Sequence, residues 1–393
     1  MIRSRLGQCN RALCVLISLC LGAGFLPQSP DRQDAITQAS EQAVAIVAEE
    51  ELENPVAFAD DELTAALERQ GLRVQRLTDL SHAKAGLILL IGIPEHNARL
   101  HDLESIGRIA IPTNPESYSI CRLAIEGRPV VVIAGSDRRG LTYALLELAR
   151  RIRHLGGRAS VVNHLAGLSD VTEKPDVRIR GMVQFLHSAE LEKSWYHDRE
   201  YWESYLRMLV EDRFNSFNLV FAHQTSYLAP PYPFLFSVEK YPQVRVPGLS
   251  QADQNRNLET LRMISRLARD RGIDFIMGIW EQRAWSRGQV SMVFGLTDDI
   301  LEDYARLAME KLLRLCPDIS GIQLRVNTES GIENERQTVF YRDGIIAGMK
   351  AAQRPVLIDL RGWGALPGTI DAAVNSGLPM RLSMKYWAEF MGM

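Results

Sequence analysis

Basic charge is the first thing this sequence lacks. Its 45 Lys and Arg stand against 48 Asp and Glu, a formal net charge of −3. There is no electrostatic footprint for nucleic acid, and no charged substrate is gathered by bulk field. Cysteine is scarce as well. Of five, Cys9, Cys14 and Cys20 sit near the N-terminus, leaving Cys121 and Cys316 in separate predicted domains. Neither belongs to a CxxC or His/Cys cluster, so zinc spacing is absent; two buried free thiols are expected. No metal or cofactor is implied. The apolar run 12–26 falls short of the roughly 20 residues of a membrane span. It follows Arg3, Arg5 and Arg11, contains Gly22-Ala23-Gly24, and gives way to Pro27-Gln28-Ser29-Pro30. That is the pattern of a secretory signal peptide over residues 1–30, with an uncleaved anchor as the alternative. Export to the periplasm or the exterior is expected, with contact to a membrane only through such an anchor. Leu19 before Cys20 does not fit a lipoprotein.

What is present is an ordinary globular composition, 46% apolar and 24% charged, in a chain long enough for two domains. Residues 31–168 read as a small α+β domain. Helices are predicted over 31–48, 62–70 and 141–152, with strands at 72–74, 85–92, 118–123 and 129–134. The turn Gly135-Ser136-Asp137-Arg138-Arg139-Gly140 lacks the spacing of a phosphate-binding loop. A strand-to-helix connection capped by Ser136 or Asp137 is expected instead.

After a polar linker at 169–175, residues 176–393 alternate strand and helix. Strands are predicted at 178–186, 216–223, 273–280, 321–329, 355–363 and 379–387. Helices are predicted between them at 199–213, 253–271, 298–315, 338–352 and 369–376. Such alternation means parallel βαβ units. The fold class is therefore α/β: a small α+β domain followed by a parallel (β/α) barrel that looks truncated after about six strands, since closure takes eight. An open doubly wound sheet is the alternative. The long loops 189–198 and 224–250 favour the barrel, whose sites are built from such loops.

The most informative stretch is Gly321-Ile322-Gln323-Leu324-Arg325-Val326-Asn327-Thr328-Glu329-Ser330-Gly331. Read with period two, Ile322, Leu324 and Val326 face one way, and Gln323, Arg325, Asn327 and Glu329 the other. A parallel strand buried on both faces would be apolar on both. Glu329 is the first candidate for a functional residue. The other strand ends add His187, His223, Trp280 and Glu281, the pair Asp359 and Arg361, and the set Arg381, Ser383 and Lys385. Charges so placed are costly unless paired, and an internal pairing of Asp359 with Arg361 or Lys385 is the competing account. Aromatic residues crowd the same loops: Trp195, Tyr196, Tyr227, Tyr232, Phe234, Phe236, Tyr241, Trp280, Trp285, Trp363, Tyr386 and Trp387. Aromatic faces stack on the apolar faces of sugar rings, which points to carbohydrate.

The segment Pro115-Glu116-Ser117-Tyr118-Ser119-Ile120, followed by GRPVVVIAGSDRRGLTYALLELARRI, resembles the non-catalytic N-terminal domain of bacterial β-hexosaminidases and α-glucuronidases. The likeness covers about residues 87–152 and carries no catalytic residues. With a parallel barrel behind it, the chain resembles family 20 and family 67 glycoside hydrolases in architecture. In α-glucuronidases the general acid is a Glu at the fourth strand end, which Glu329 matches. Family 20 enzymes have an adjacent Asp-Glu pair there, and Thr328-Glu329 is not one. The resemblance thus implies an α-glucuronidase-like or related hydrolase acting on an oligo- or polysaccharide. Glu329 would be the acid. Glu281, Asp359 and Glu389 are candidates for the second carboxylate. Arg325, Arg361 and Lys385 are candidates for a uronate carboxylate, with His187, His223, Asn327, Trp280 and Trp363 as further substrate contacts. The alternative is a secreted carbohydrate-binding barrel without catalysis.

Overall fold

The computed structural model describes residues 43–222, 228–283 and 292–384. Two six-stranded sheets organise them. The first runs in the order β2-β1-β3-β5-β4-β6, from β1 (Ala43–Ala48), β2 (Arg73–Leu77), β3 (Leu87–Gly92), β4 (Tyr118–Ile125), β5 (Arg128–Gly135) and β6 (Val171–Glu173). The first, second, third and fifth strands are parallel, and β4 is antiparallel to both β5 and β6. Helices α1 (Val56–Arg69) and α3 (Arg138–Arg153) pack on this sheet, while α2 (Ala98–Ser105) and α4 (Arg158–Ala166) complete it.

Two expectations are corrected here. Ala43–Ala48 is a strand, not the end of a helix over 31–48; the rest of that predicted helix lies outside the described residues. The run Val44-Ala45-Ile46-Val47 is buried on both faces between β2 and β3. A short apolar run of this kind has no period that separates helix from strand, and its β-branched residues fit the sheet. The predicted linker 169–175 contains β6, which extends the sheet edge beside β4. Cys121 and Cys316 are buried and free, as expected. Burial pushes both thiols up, to about 11 and about 12.

The second sheet runs β12-β11-β10-β9-β8-β7: β7 (Gly181–Leu186), β8 (Ser216–Phe221), β9 (Asp274–Ile279), β10 (Gly321–Arg325), β11 (Leu357–Arg361) and β12 (Met380–Ser383). Every pairing is parallel and joins sequence neighbours. A doubly wound sheet reverses its order at a switch point; this one never does, which is the winding of an α/β barrel. Its connections carry α5 (Ala189–Tyr196), α6 (Arg199–Glu211), α7 (Tyr232–Leu235), α8 (Gln251–Arg269), α9 (Leu301–Leu315) and α12 (Pro367–Val374). Between β10 and β11 one helical stretch runs from α10 (Asn334–Val339) through a π-helical turn (Phe340–Ile346) to α11 (Ala347–Ala351).

Alternation divides this sheet into two faces. Phe217, Leu219, Phe221, Phe275, Met277, Ile279, Ile322, Leu324, Ile358 and Leu360 join one core with the helices. Each such side chain contributes roughly 1.5–3 kcal/mol by leaving water. The opposite face carries Val220, Gly278, Gln323, Asp359 and Arg381 in register across adjacent strands, with Asn218 two residues before Val220 on the same face.

The first sheet meets the second at the N-terminal ends of β7, β8 and β9. Glu116 reaches across from the turn before β4. Its carboxylate accepts from Asn215 Nδ2 at 3.0 and 3.1 Å, from Arg139 Nη1 at 3.2 Å, and from Arg180. Arg139 also donates to Asp274 at 2.7 Å, and Arg153 to Glu211 at 2.7 Å. The turn at 135–140 orders this junction. Asp137 caps α3 through Gly140 N at 2.8 Å, as predicted, and its other oxygen accepts from Glu116 N at 2.7 Å. A Cβ at Gly140 would lie 2.1 Å from the Ser117 carbonyl oxygen, so only glycine lets α3 start so close to β4.

Burial alone would raise the pKa of Glu116. Hydrogen bonds from Arg180 and Asn215, with the charges of Arg180 and Arg139, outweigh that and hold it below the usual carboxylate value. A depressed folded pKa gives stability that is present above the unfolded value, about 4.3, and is lost as pH falls through the folded one. Glu116→Gln should therefore cost about 2 kcal/mol at neutral pH. It should also flatten the acid limb of a plot of unfolding midpoint against pH below about 4.3; an unchanged acid limb would contradict this role.

Candidate active site

The polar face of the second sheet rises to its C-terminal edge, and Arg325 is the centre of it. This last residue of β10 is 2% exposed, and a buried guanidinium requires compensation. Its Cζ lies 4.9 Å from the Phe185 ring centroid and 4.5 Å from that of Trp280. Two aromatic faces thus flank one cation. Nε donates to Gln323 Oε1 at 2.9 Å, and Gln323 Nε2 donates to Asp359 Oδ2 at 3.0 Å. That oxygen also accepts from Arg381 Nη2 at 3.0 Å, while Asp359 Oδ1 accepts from Ser383 Oγ at 2.6 Å. Burial first, then the like charge of Arg361, pull the Arg325 pKa down to about 9, against the opposing fields of Asp359 and Glu329. It remains cationic at neutral pH. Arg361 is likewise lowered by burial, with Asp359 and Glu329 opposing. Among the described residues, the Nη groups of Arg325 find no acceptor and Arg361 forms no ion pair.

Beyond Arg325 the backbone leaves the sheet. The predicted strand 321–329 ends at Arg325, and Thr328–Ser330 is a single 3₁₀ turn closed by Ser330 N to Asn327 O at 2.8 Å. Glu329 therefore projects from a turn above the strand, not from the alternating face itself. Asn327 Nδ2 donates to Glu329 Oε2 at 2.6 Å, which fixes one carboxylate oxygen. Glu281, at the end of β9, is 2% exposed. The two loops are stitched together next to these acids, since Gln282 N donates to Ser330 O at 2.8 Å.

The remaining candidates divide. His187 is exposed and stacks on Phe185, with centroids 5.4 Å apart and planes at 19°. Trp363 is 47% exposed just beyond β11. His223, Lys385 and Glu389, with Tyr227, Trp285, Tyr386 and Trp387, lie outside the described residues. The expected internal pairing of Asp359 is made by Arg381 and, among the described residues, not by Arg361; its pairing with Lys385 lies outside the described residues. The aromatic crowding is corrected more broadly. Tyr196, Tyr232, Phe234 and Phe236 are buried, and Trp195 and Tyr241 pack against the same core. Tyr232 meets Tyr304 edge-on at 6.3 Å. They seal loops onto helices rather than face a ligand.

Sequence reasoning missed Phe185, whose apolar character made it look like core, and the helical residues Gln337 and Tyr341. Tyr341 donates to the Arg325 carbonyl at 3.1 Å, and Gln337 Nε2 to that of Val326 at 2.9 Å. A Gln and a Tyr one turn apart (i, i+4) carry a weak signal of this: both face the strand end that they cap.

No family model and no curated protein matches the chain. Solved structures do. A GH138 enzyme targeting pectin rhamnogalacturonan II superposes with a TM-score of 0.64 at 20% identity, covering 88% of this chain and 48% of that one. CpGH84D gives 0.52 at 11% identity, over 88% and 52%. A mutant Streptomyces plicatus beta-hexosaminidase in complex with its product GlcNAc gives 0.51 at 12%, over 86% and 70%. At such identities the likeness is one of fold. The chain spans about half the length of the first two.

Asp359→Ala would leave Arg381 and Gln323 without their shared acceptor on a buried face. A loss of about 3 kcal/mol is expected from the urea midpoint; a loss under about 1 kcal/mol would mean that the pair is dispensable.

Proposed function

We propose that the chain is a glycoside hydrolase acting on an oligo- or polysaccharide with an acidic sugar at the cleaved position, in the manner of an α-glucuronidase. One observation carries this reading. Arg325 and Arg361 stand at adjacent strand ends, C-terminal on a barrel-type sheet, cationic and, among the described residues, with guanidinium nitrogens that have no acceptor, in the field of Glu329. A planar guanidinium fork matches a carboxylate, and the C-terminal edge is where such sheets place chemistry. The fold shared with glycoside hydrolases supports it. Residues 31–168 are then the accessory domain and 176–393 the catalytic one. The leader pattern at 1–30 supports a location outside the cytoplasm, which cell fractionation would test.

In the reaction Glu329 gives its proton to the glycosidic oxygen as the bond to the anomeric carbon breaks. Asn327 engages Oε2 and so orients the carboxyl group that delivers this proton. Glu281, on the loop stitched to that of Glu329, is the second carboxylate, either attacking the anomeric carbon or taking a proton from the water that does. Asp359 has both oxygens engaged and serves as the anchor of Arg381 and, through Gln323, of Arg325. Trp363 offers an exposed ring face for a neighbouring sugar. The occupation of Asp359 withdraws one candidate carboxylate from the chemistry, which favours the second reading, a binding protein without chemistry.

The test is hydrolysis of aryl uronides, neutral aryl glycosides and aldouronic oligosaccharides by the wild type and Glu329→Gln. Acidic substrates should be preferred. The variant should lose about 10²–10⁴-fold on the oligosaccharides and far less on aryl substrates, whose leaving groups need little protonation. Equal loss on both would remove Glu329 as the acid. Saccharide binding with no turnover of any substrate would establish the second reading.

A further inference from the structure

The structure assigns Gln337, on α10, as a positioning residue that locks the Glu329 turn to the Trp363 loop. This rests on the function proposed above. Gln337 is fully buried, and its amide is saturated. Nε2 donates to Val326 O and to Gly364 O, each at 2.9 Å. Oε1 accepts from Leu366 N and from Thr369 Oγ1, each at 2.9 Å. Two donors and two acceptor sites are all that a carboxamide has.

The partners lie on two segments. Val326 immediately precedes Asn327, which holds Glu329. Gly364 immediately follows Trp363, and Leu366 and Thr369 open α12. The segments also touch directly: a Cβ at Gly364 would come within 2.9 Å of Asn327 Cα. Tyr341, one turn further along the same helix, fixes the Arg325 carbonyl at 3.1 Å. One helix thus sets the distance between acid and aromatic platform. No other natural side chain of this size offers two donors and two acceptors in one plane. An error of about 1 Å in such a placement costs on the order of 10²-fold in rate.

The test uses the full chain and an acidic aryl or oligosaccharide substrate, at a temperature where near-ultraviolet circular dichroism shows every variant folded. Gln337→Met keeps the volume and removes all four hydrogen bonds; kcat should fall about 100-fold, with KM changed only a few-fold. Gln337→Glu keeps the acceptor side, and as a neutral acid keeps one donor. Its deficit should grow with pH as the carboxylate forms against the carbonyls of Val326 and Gly364. Glu116→Gln, distant from the site, serves as the stability control and should keep wild-type kcat. Were Gln337→Met not to fold, the pH dependence of Gln337→Glu would carry the test. Variants that melt earlier but keep wild-type kcat and pH profile would overturn the assignment alone. A wild type inert on every substrate would overturn the proposed function, and this assignment with it.

Discussion

Charge on the inner face of a parallel sheet is the constraint that the second half of the molecule is built to meet. A guanidinium at 2% exposure is tolerable because two rings cover it and a chain of hydrogen bonds runs from it through Gln323 to Asp359 and on to Arg381 and Ser383. Register makes this possible, because Gln323, Asp359 and Arg381 stand side by side on β10, β11 and β12. The apolar alternates on the other face hold the sheet to its helices, so the polar row need not stabilise the fold on its own. What it does is order: through Gln323 it fixes where Arg325 stands.

The two ends of the sheet have separate duties. Glu116, Arg139, Arg180, Asn215 and Asp274 gather at the N-terminal ends of the strands and join the two sheets there. The candidate site occupies the opposite edge. This accounts for the motif on which the hexosaminidase resemblance rests. Glu116 of the Pro-Glu-Ser-Tyr segment is the inter-sheet clamp, and the Asp-x-x-Gly turn closes on the backbone of that same segment. A motif without catalytic residues is thus explained by the junction that it forms.

Much of this was legible in the sequence, where period and residue type agreed. Strand and helix alternated clearly from residue 216 onward, and the polar parity of Gln323, Arg325, Asp359 and Arg381 marked the inner face. Where the two gave no contrast, reading failed. Val44 to Val47 are apolar at every position, so helix and strand could not be told apart. Glu329 kept the strand's parity by coincidence, because a 3₁₀ turn replaces the strand before it. The loop aromatics were ambiguous for another reason: a ring suits a sugar and a core equally well, and only burial distinguishes Tyr232 from Trp363. Long-range hydrogen bonds such as those of Gln337 leave no trace in composition at all.

The central claim is that the Arg325–Arg361 pair reads a carboxylate. Calorimetric titration with an acidic oligosaccharide and with its methyl ester tests it most directly, because the two ligands differ in charge and hardly in shape. The account predicts that the free acid binds about 10–100-fold more tightly, as a charge-assisted hydrogen bond of 1.5–3 kcal/mol implies. That advantage should disappear in Arg361→Met. Equal affinity for acid and ester, or an acid preference that survives the loss of Arg361, would contradict it.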